Sequence, residues 1–145
     1  MDLAELTDRA AIMDVVVAYA TALDTRDWKL LAEQFTPDAT WAYPGMIEQV
    51  RGPEQIAAAL GAGLRGLEAT QHLLGNHHIR LDGDQAEHTC YFQAQHVRRG
   101  APGGDTYLAA GRYSDVLRRT PGGWKIAARR LSGMWSQGSL GVFSR

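Results

Sequence analysis

The chain has 145 residues, 45% hydrophobic and 21% charged, with a formal net charge of −1. This is one domain, 1–145, large enough to bury a core without staples, and its interspersed charges argue against a nucleic-acid or anionic-membrane surface. The lone Cys90 excludes an internal disulfide and a cysteine-based zinc cluster, no stretch approaches the roughly 18 apolar residues of a membrane span, and the acidic, mixed start MDLAELTDR is no signal peptide, so a cytoplasmic protein is expected.

The first helix is read over 6–23, with Thr7 as N-cap and Asp8 in the first turn. Ile12, Val16, Tyr19 and Leu23 fall on one helical face, and Asp24 sits at the edge of that stripe. Asp27 caps a second helix over 28–35, stopped by Thr36-Pro37-Asp38. A short strand over 39–43 turns at Pro44-Gly45 into a further segment over 46–50. Gly52-Pro53 opens a third helix carrying Ile56, Ala59, Leu60 and Leu64.

From Thr70 the period switches from 3.6 to 2. A strand over 70–81 meets the hairpin turn Asp82-Gly83-Asp84. The strand over 85–99 places Ala86, His88, Cys90, Phe92, Ala94 and His96 on one face. Strands over 106–119 and 124–135 come next, while 136–145 shows no period. Three helices and then an antiparallel meander make an α+β fold, with helices on one face of a curved sheet. Such a sheet, closed by a helix, is a cone with a pocket inside.

Five histidines invite a metal reading, which strand geometry weakens. His77 and His78 point to opposite faces, and His72 shares a face with His78 about 20 Å away at roughly 3.3 Å per residue. No metal is expected. There is no G-x-S-x-G elbow, G-x-G-x-x-G turn or P-loop. Acid–base chemistry remains. His72, His96, Asp24, Tyr19 and Arg129 point toward one interior. Of the adjacent pair, Arg129 lies between Ala127 and Leu131 and is taken as inward; Arg130 shares a face with Ile126 and Ala128, and a bulge would swap the two. Trp28, Trp41, Tyr43, Phe92, Tyr107 and Trp135 are pocket candidates, although residues of this kind are more often plain core.

The succession YATALDTRDW, LAEQFTPDATW, RGPEQI, TQHLLGNHHI and GGWKIAARR resembles the SnoaL-like group of the NTF2-like superfamily, over about residues 8–135. The resemblance implies an NTF2-like cone: a curved, mostly antiparallel sheet with three N-terminal helices around a pocket. Within that group the pattern is similar to scytalone dehydratase, bile-acid 7α-dehydratase and hexachlorocyclohexane dehydrochlorinase. It implies a pair of Asp24 with His72, a tyrosine at Tyr19 where the dehydrochlorinase has lysine, a pocket tryptophan at Trp41, a second histidine at His96 and the arginine Arg129.

These roles make a lyase that works without a cofactor the expected activity. His72, held by Asp24, takes a proton beside a carbonyl, a β-leaving group departs, Arg129 stabilises the enolate, and Tyr19 or His96 protonates the leaving hydroxyl. An isomerase, an aldol-type polyketide cyclase and a non-catalytic binding module are the alternatives. The expected partner is a hydrophobic small molecule. A homo-oligomer, a trimer rather than a dimer, is expected through the open face of the sheet.

Overall fold

The structure is a computed structural model describing residues 1–144. Helix α1 spans Leu3–Thr25, and its stripe Ile12, Val16, Tyr19 and Leu23 is buried throughout. It starts earlier than its Thr7 suggested. Asp2 and Glu5 form a reciprocal capping box (Glu5 N to Asp2 Oδ1 2.9 Å, Asp2 N to Glu5 Oε2 3.2 Å), leaving Thr7 in the first turns to bond back to the Leu3 carbonyl. α2 (Trp28–Glu33) is capped by Asp27, as its sequence indicates. It ends two residues sooner than expected, because Phe35 is recruited into a strand beside Ile126.

Strands β1 (Phe35–Tyr43) and β2 (Ile47–Arg51) form a hairpin before α3 (Pro53–Leu64). Then come β3 (Ala69–Asp82), β4 (Gln85–Val97), β5 (Thr106–Thr120) and β6 (Gly123–Gly138). The sheet order is β2-β1-β6-β5-β4-β3, with β1 and β6 parallel and every other pair antiparallel. The helices cover one face, and the core lies between, from Ile12, Tyr19 and Leu31 to Phe92, Tyr113 and Leu117. A short 3-10 helix, Leu140–Phe143, comes after β6 in the segment whose sequence shows no period. Among the described residues, no helix is long and apolar enough to cross a membrane.

Three bulges decide which side chains face the core. In β3, Asn76 and His77 together oppose Cys90, with Asn76 at φ 55°. The extra residue turns His77 inward and His78 outward, so His78 leaves the face of His72 that strict alternation gave it. In β6, Ala127 is inserted between the pairs Leu117–Ile126 and Val116–Ala128, and Met134 between Gly111–Gly133 and Ala110–Trp135. The first bulge lets Ile126 and Arg129 share the buried face and leaves Arg130 exposed. The second sends Trp135 to the opposite face from Leu131. Gly111 is required beside it: a Cβ there would collide with the Ser132 carbonyl and lie 2.9 Å from the ring of Phe92.

Candidate active site

β3 is an edge strand, and its residue pairing to β4 leaves the His72 amide pointing off the sheet. The last turn of α1 passes there. Asp24 accepts that amide on Oδ2 at 2.9 Å and holds the ring of the same residue, with His72 Nδ1 2.7 Å from Oδ1. Thr70 Oγ1 adds a third bond at 3.2 Å. Arg26 closes α1 in the left-handed region at φ 59° and donates to the Leu23 carbonyl at 2.6 Å and to Thr70 Oγ1 at 2.7 Å. Burial raises the Asp24 carboxyl, but the bonds from His72 outweigh it and hold the group below the usual carboxylate range. An ionised Asp24 accepts only, so the proton of neutral His72 sits on Nδ1 and Nε2 is the free nitrogen.

His96, on β4, lies with its ring centroid 6.4 Å from that of His72. Its Nδ1 is 2.9 Å from the Tyr107 carbonyl, an acceptor, so this ring too carries its proton on Nδ1. Burial lowers its proton affinity against the help of that carbonyl. His96 is therefore a neutral acceptor at its Nε2, not a ready acid. Tyr19, on α1, accepts from Trp41 Nε1 at 2.9 Å, which leaves its own hydroxyl proton to donate. Burial pushes the phenol up, with Arg129 opposing, so it stays protonated.

Arg129 is inward but is not on the wall of the cavity. Its Nε and Nη2 grip Asp115 at 2.7 and 2.8 Å, and its guanidinium lies between the rings of Tyr19 and Tyr113, 4.1 and 4.0 Å from their centroids. Both Arg129 and Asp115 have side chains without solvent exposure. Burial raises the Asp115 carboxyl, Arg129 and then His88 together outweigh that, and the carboxyl ends below its ordinary range. Behind Asp115 come His88 (Nδ1 to Oδ2, 2.7 Å) and His77 (Nδ1 to His88 Nε2, 3.0 Å). Cys90 is beside them. Burial pushes its thiol up to about 12, so it is no thiolate nucleophile.

A cavity of about 340 Å³ lies between the helices and the sheet, within the range of small-molecule sites. Of the residues singled out in the sequence, Tyr19, Trp41, Tyr43, His72, Phe92, His96 and Tyr107 line it. Trp135 does not: it is 49% exposed on the outer face, because the Met134 bulge inverts the alternation. Trp28 packs instead under Gly61 of α3. Sequence reasoning did not assign Leu23, Leu131 and Tyr113 to the pocket wall, although helical spacing puts Leu23 on the face of Tyr19 and strand alternation puts Leu131 with Arg129 and Tyr113 with Asp115. It also missed Phe143, which packs on His96 at 5.1 Å and Tyr107 at 5.7 Å between centroids. The signal for Phe143 was Ser139, whose side chain caps the 3-10 helix at Gly141 N.

The family model described as a SnoaL-like domain matches residues 4–130. The chain belongs to the SnoaL-like family. Uncharacterized protein Rv2910c of Mycobacterium tuberculosis is a relative, 32% identical over 130 residues, covering 89% of this chain and 87% of that one. Among solved structures, the hexachlorocyclohexane dehydrochlorinase LinA-type3 of Novosphingobium barchaimii superposes with TM-score 0.83 at 23% identity, over 97% and 96% of the two chains. A candidate scytalone dehydratase of Novosphingobium aromaticivorans gives TM-score 0.82 at 22% identity, over 93% and 89%. At those identities the likeness is one of fold, and the SnoaL-like chain has the NTF2-like α+β architecture that its sequence indicates. Neighbours of that fold include lyases.

Proposed function

We propose that this SnoaL-like protein is a lyase of the dehydratase kind that acts on a hydrophobic small molecule without a cofactor. One observation carries the reading: on the wall of a largely apolar cavity, an ionised Asp24 occupies Nδ1 of His72 and leaves Nε2 free. A neutral imidazole in that state is a base for a proton beside a carbonyl. The carboxylate compensates the charge that the ring gains. Dehydrochlorination and dehydration, the reactions named for the two structural neighbours, both remove a proton and expel a group from the adjacent carbon.

Tyr19 is the donor to the leaving hydroxyl or the enolate oxygen, since its oxygen already accepts from Trp41 and its proton is unclaimed. His96 holds a substrate hydroxyl as acceptor and so fixes which end of the ligand meets His72. Arg129 works from beneath: stacked on Tyr19, it favours negative charge building on that phenol without itself touching substrate. Trp41, Tyr43, Phe92 and Tyr107 supply flat apolar walls, which suit an aromatic or polycyclic ligand.

We also infer a homo-oligomer, a trimer before a dimer, formed through the outer face of the sheet. Leu73 and Trp135 lie on one register row there, with Tyr91 and Met134 next to it, and all four are exposed.

The test is incubation in D2O with a panel of aromatic β-hydroxy ketones, read by enone absorbance and mass spectrometry. Enone formation abolished by His72→Ala supports the reading. Deuterium gained at the α-carbon with the hydroxyl retained would reassign the site to an isomerase or aldol-type cyclase. Ligand that binds and returns unlabelled would make it a binding module.

A further inference from the structure

Three soft or borderline donors converge on the far side of Asp115 from the cavity. His88 and Cys90 alternate on one face of β4, and the β3 bulge brings His77 across from them. One ligand atom from each lies within 4.8 Å of the others. None of the three lines the cavity. His88 Nδ1 is bound to the Asp115 carboxylate, which fixes the tautomer and aims Nε2 at His77. A carboxylate behind a histidine in this way is the arrangement that orients metal-ligating imidazoles.

We propose that His77, His88 and Cys90 form a three-coordinate site for a soft monovalent ion, copper(I). The donor set of two imidazoles and one thiolate suits copper and zinc. Charge separates them. Asp115 and Arg129 cancel each other within the buried pair, and one thiolate is neutralised by one monovalent ion. A divalent ion would leave a net positive charge beside the Arg129 guanidinium, next to a His88 that has no exposure. Asp115 is already committed to Arg129 and His88, so it is not a fourth ligand, and among the described residues no other His, Cys, Asp or Glu joins the group.

Metal–nitrogen bonds of about 2.0 Å in a trigonal plane put the two nitrogens about 3.5 Å apart. His77 Nδ1 and His88 Nε2 stand at 3.0 Å, sharing the His77 proton. Binding needs a small opening at the His77 bulge, where the chain is half-exposed. The step balances with one proton released: copper(I) replaces the thiol proton of Cys90, while the His77 proton moves from Nδ1 to Nε2 and stays on the ring.

The experiment is anaerobic titration of the purified full chain with copper(I) against the chromophoric chelator bicinchoninate, with proton release recorded in weak buffer. One copper and one proton per chain, with sulfur and nitrogen neighbours in the X-ray absorption spectrum, is the expected result. His77→Ala keeps the buried residues intact and should weaken binding by at least about 100-fold, the upper end of what the loss of a mere supporting partner costs. Cys90→Ser should do the same, and His78→Ala, on the exposed neighbour, should change nothing. Failure to compete with the chelator, or a His77→Ala protein that binds as tightly, would overturn the site. Zinc(II) held more tightly than copper(I) would overturn the charge argument on which the choice of ion rests.

Discussion

Replacing Asp24 with asparagine tests the site at one atom. The carboxylate accepts three hydrogen bonds, from the His72 amide, His72 Nδ1 and Thr70. Asparagine offers one accepting oxygen and one donating amino group in the same shape. The His72 amide cannot invert, so the oxygen must face it, and the amino group is left facing His72 Nδ1. There it donates, and the ring is forced into the opposite tautomer with its proton on Nε2. The nitrogen left free in the native site is thereby blocked. A wrong-tautomer histidine in a comparable arrangement costs about 10⁴ in rate, or about 5.4 kcal/mol. Folding should suffer far less, by about 1 kcal/mol for each charge-assisted bond made neutral. The assay needs no substrate: long-range proton–nitrogen NMR of the His72 ring reports which nitrogen is protonated, and chemical denaturation reports stability. With a substrate in hand, kcat should fall and ligand affinity should hold. A variant that keeps the proton on Nδ1, or one that turns over at the native rate, would refute the tautomer argument.

Arg129→Met should destabilise the fold by about 3–5 kcal/mol, because it leaves the buried Asp115 with its bond from His88 but without its counter-charge; urea denaturation should show Asp115→Asn recovering part of that loss in the double variant and Arg130→Met costing almost nothing. Phe143→Ala removes the ring that packs on His96 and Tyr107 and should weaken ligand binding by about tenfold with little change in kcat, read by saturation kinetics or calorimetry. Leu73→Glu on the outer face should shift the molecular mass measured by light scattering to that of a monomer, and a native chain that is already monomeric would remove the assembly proposal. Below neutrality the pH dependence has one sign. His96 and His77 are held below the ordinary 6.5 by burial, and Asp24 and Asp115 below the ordinary 3.8 by their partners. The unfolded chain therefore takes up protons first as pH falls, so this stability is complete above about pH 7, declines below about 6.5 and drops again below about 4. A melting temperature that rises between pH 7 and pH 5 would contradict it.

The pattern that was legible in the sequence is the one carried by uninterrupted periods. The stripe Ile12, Val16, Tyr19 and Leu23 is buried as one face of α1, and every even residue from Ala86 to His96 in β4 is buried. Asp24 was visible at the edge of that helical stripe, and its contact with His72 comes from α1 ending beside an edge strand. What period cannot reveal is an inserted residue. Alternation counted forward from His72 puts His78 inward, and the Asn76–His77 bulge puts His77 there instead. Alternation counted from Leu131 puts Trp135 inward, and the Met134 bulge expels it.

The Ala127 bulge is the informative contrast. Counted from Ile126, Arg130 belongs inside; counted back from Leu131, Arg129 does. Both ends of β6 are buried correctly only if one residue between them is extra, so the conflict between two clean half-strand patterns was itself the mark of the bulge. The same conflict stands in β3, where Leu74 and Ile79 are both turned inward although five positions apart. An odd separation between inward residues of one strand demands an inserted residue, and a non-glycine able to take φ 55° without much strain is the place to look for it. Asn76 is such a residue. The two polar groups that these bulges aim into the interior, His77 and Arg129, are the two ends of the chain His77–His88–Asp115–Arg129. Regular strands would have pointed at least one of them to solvent, so in this sheet the irregular positions, not the regular ones, build the buried polar network beneath the cavity.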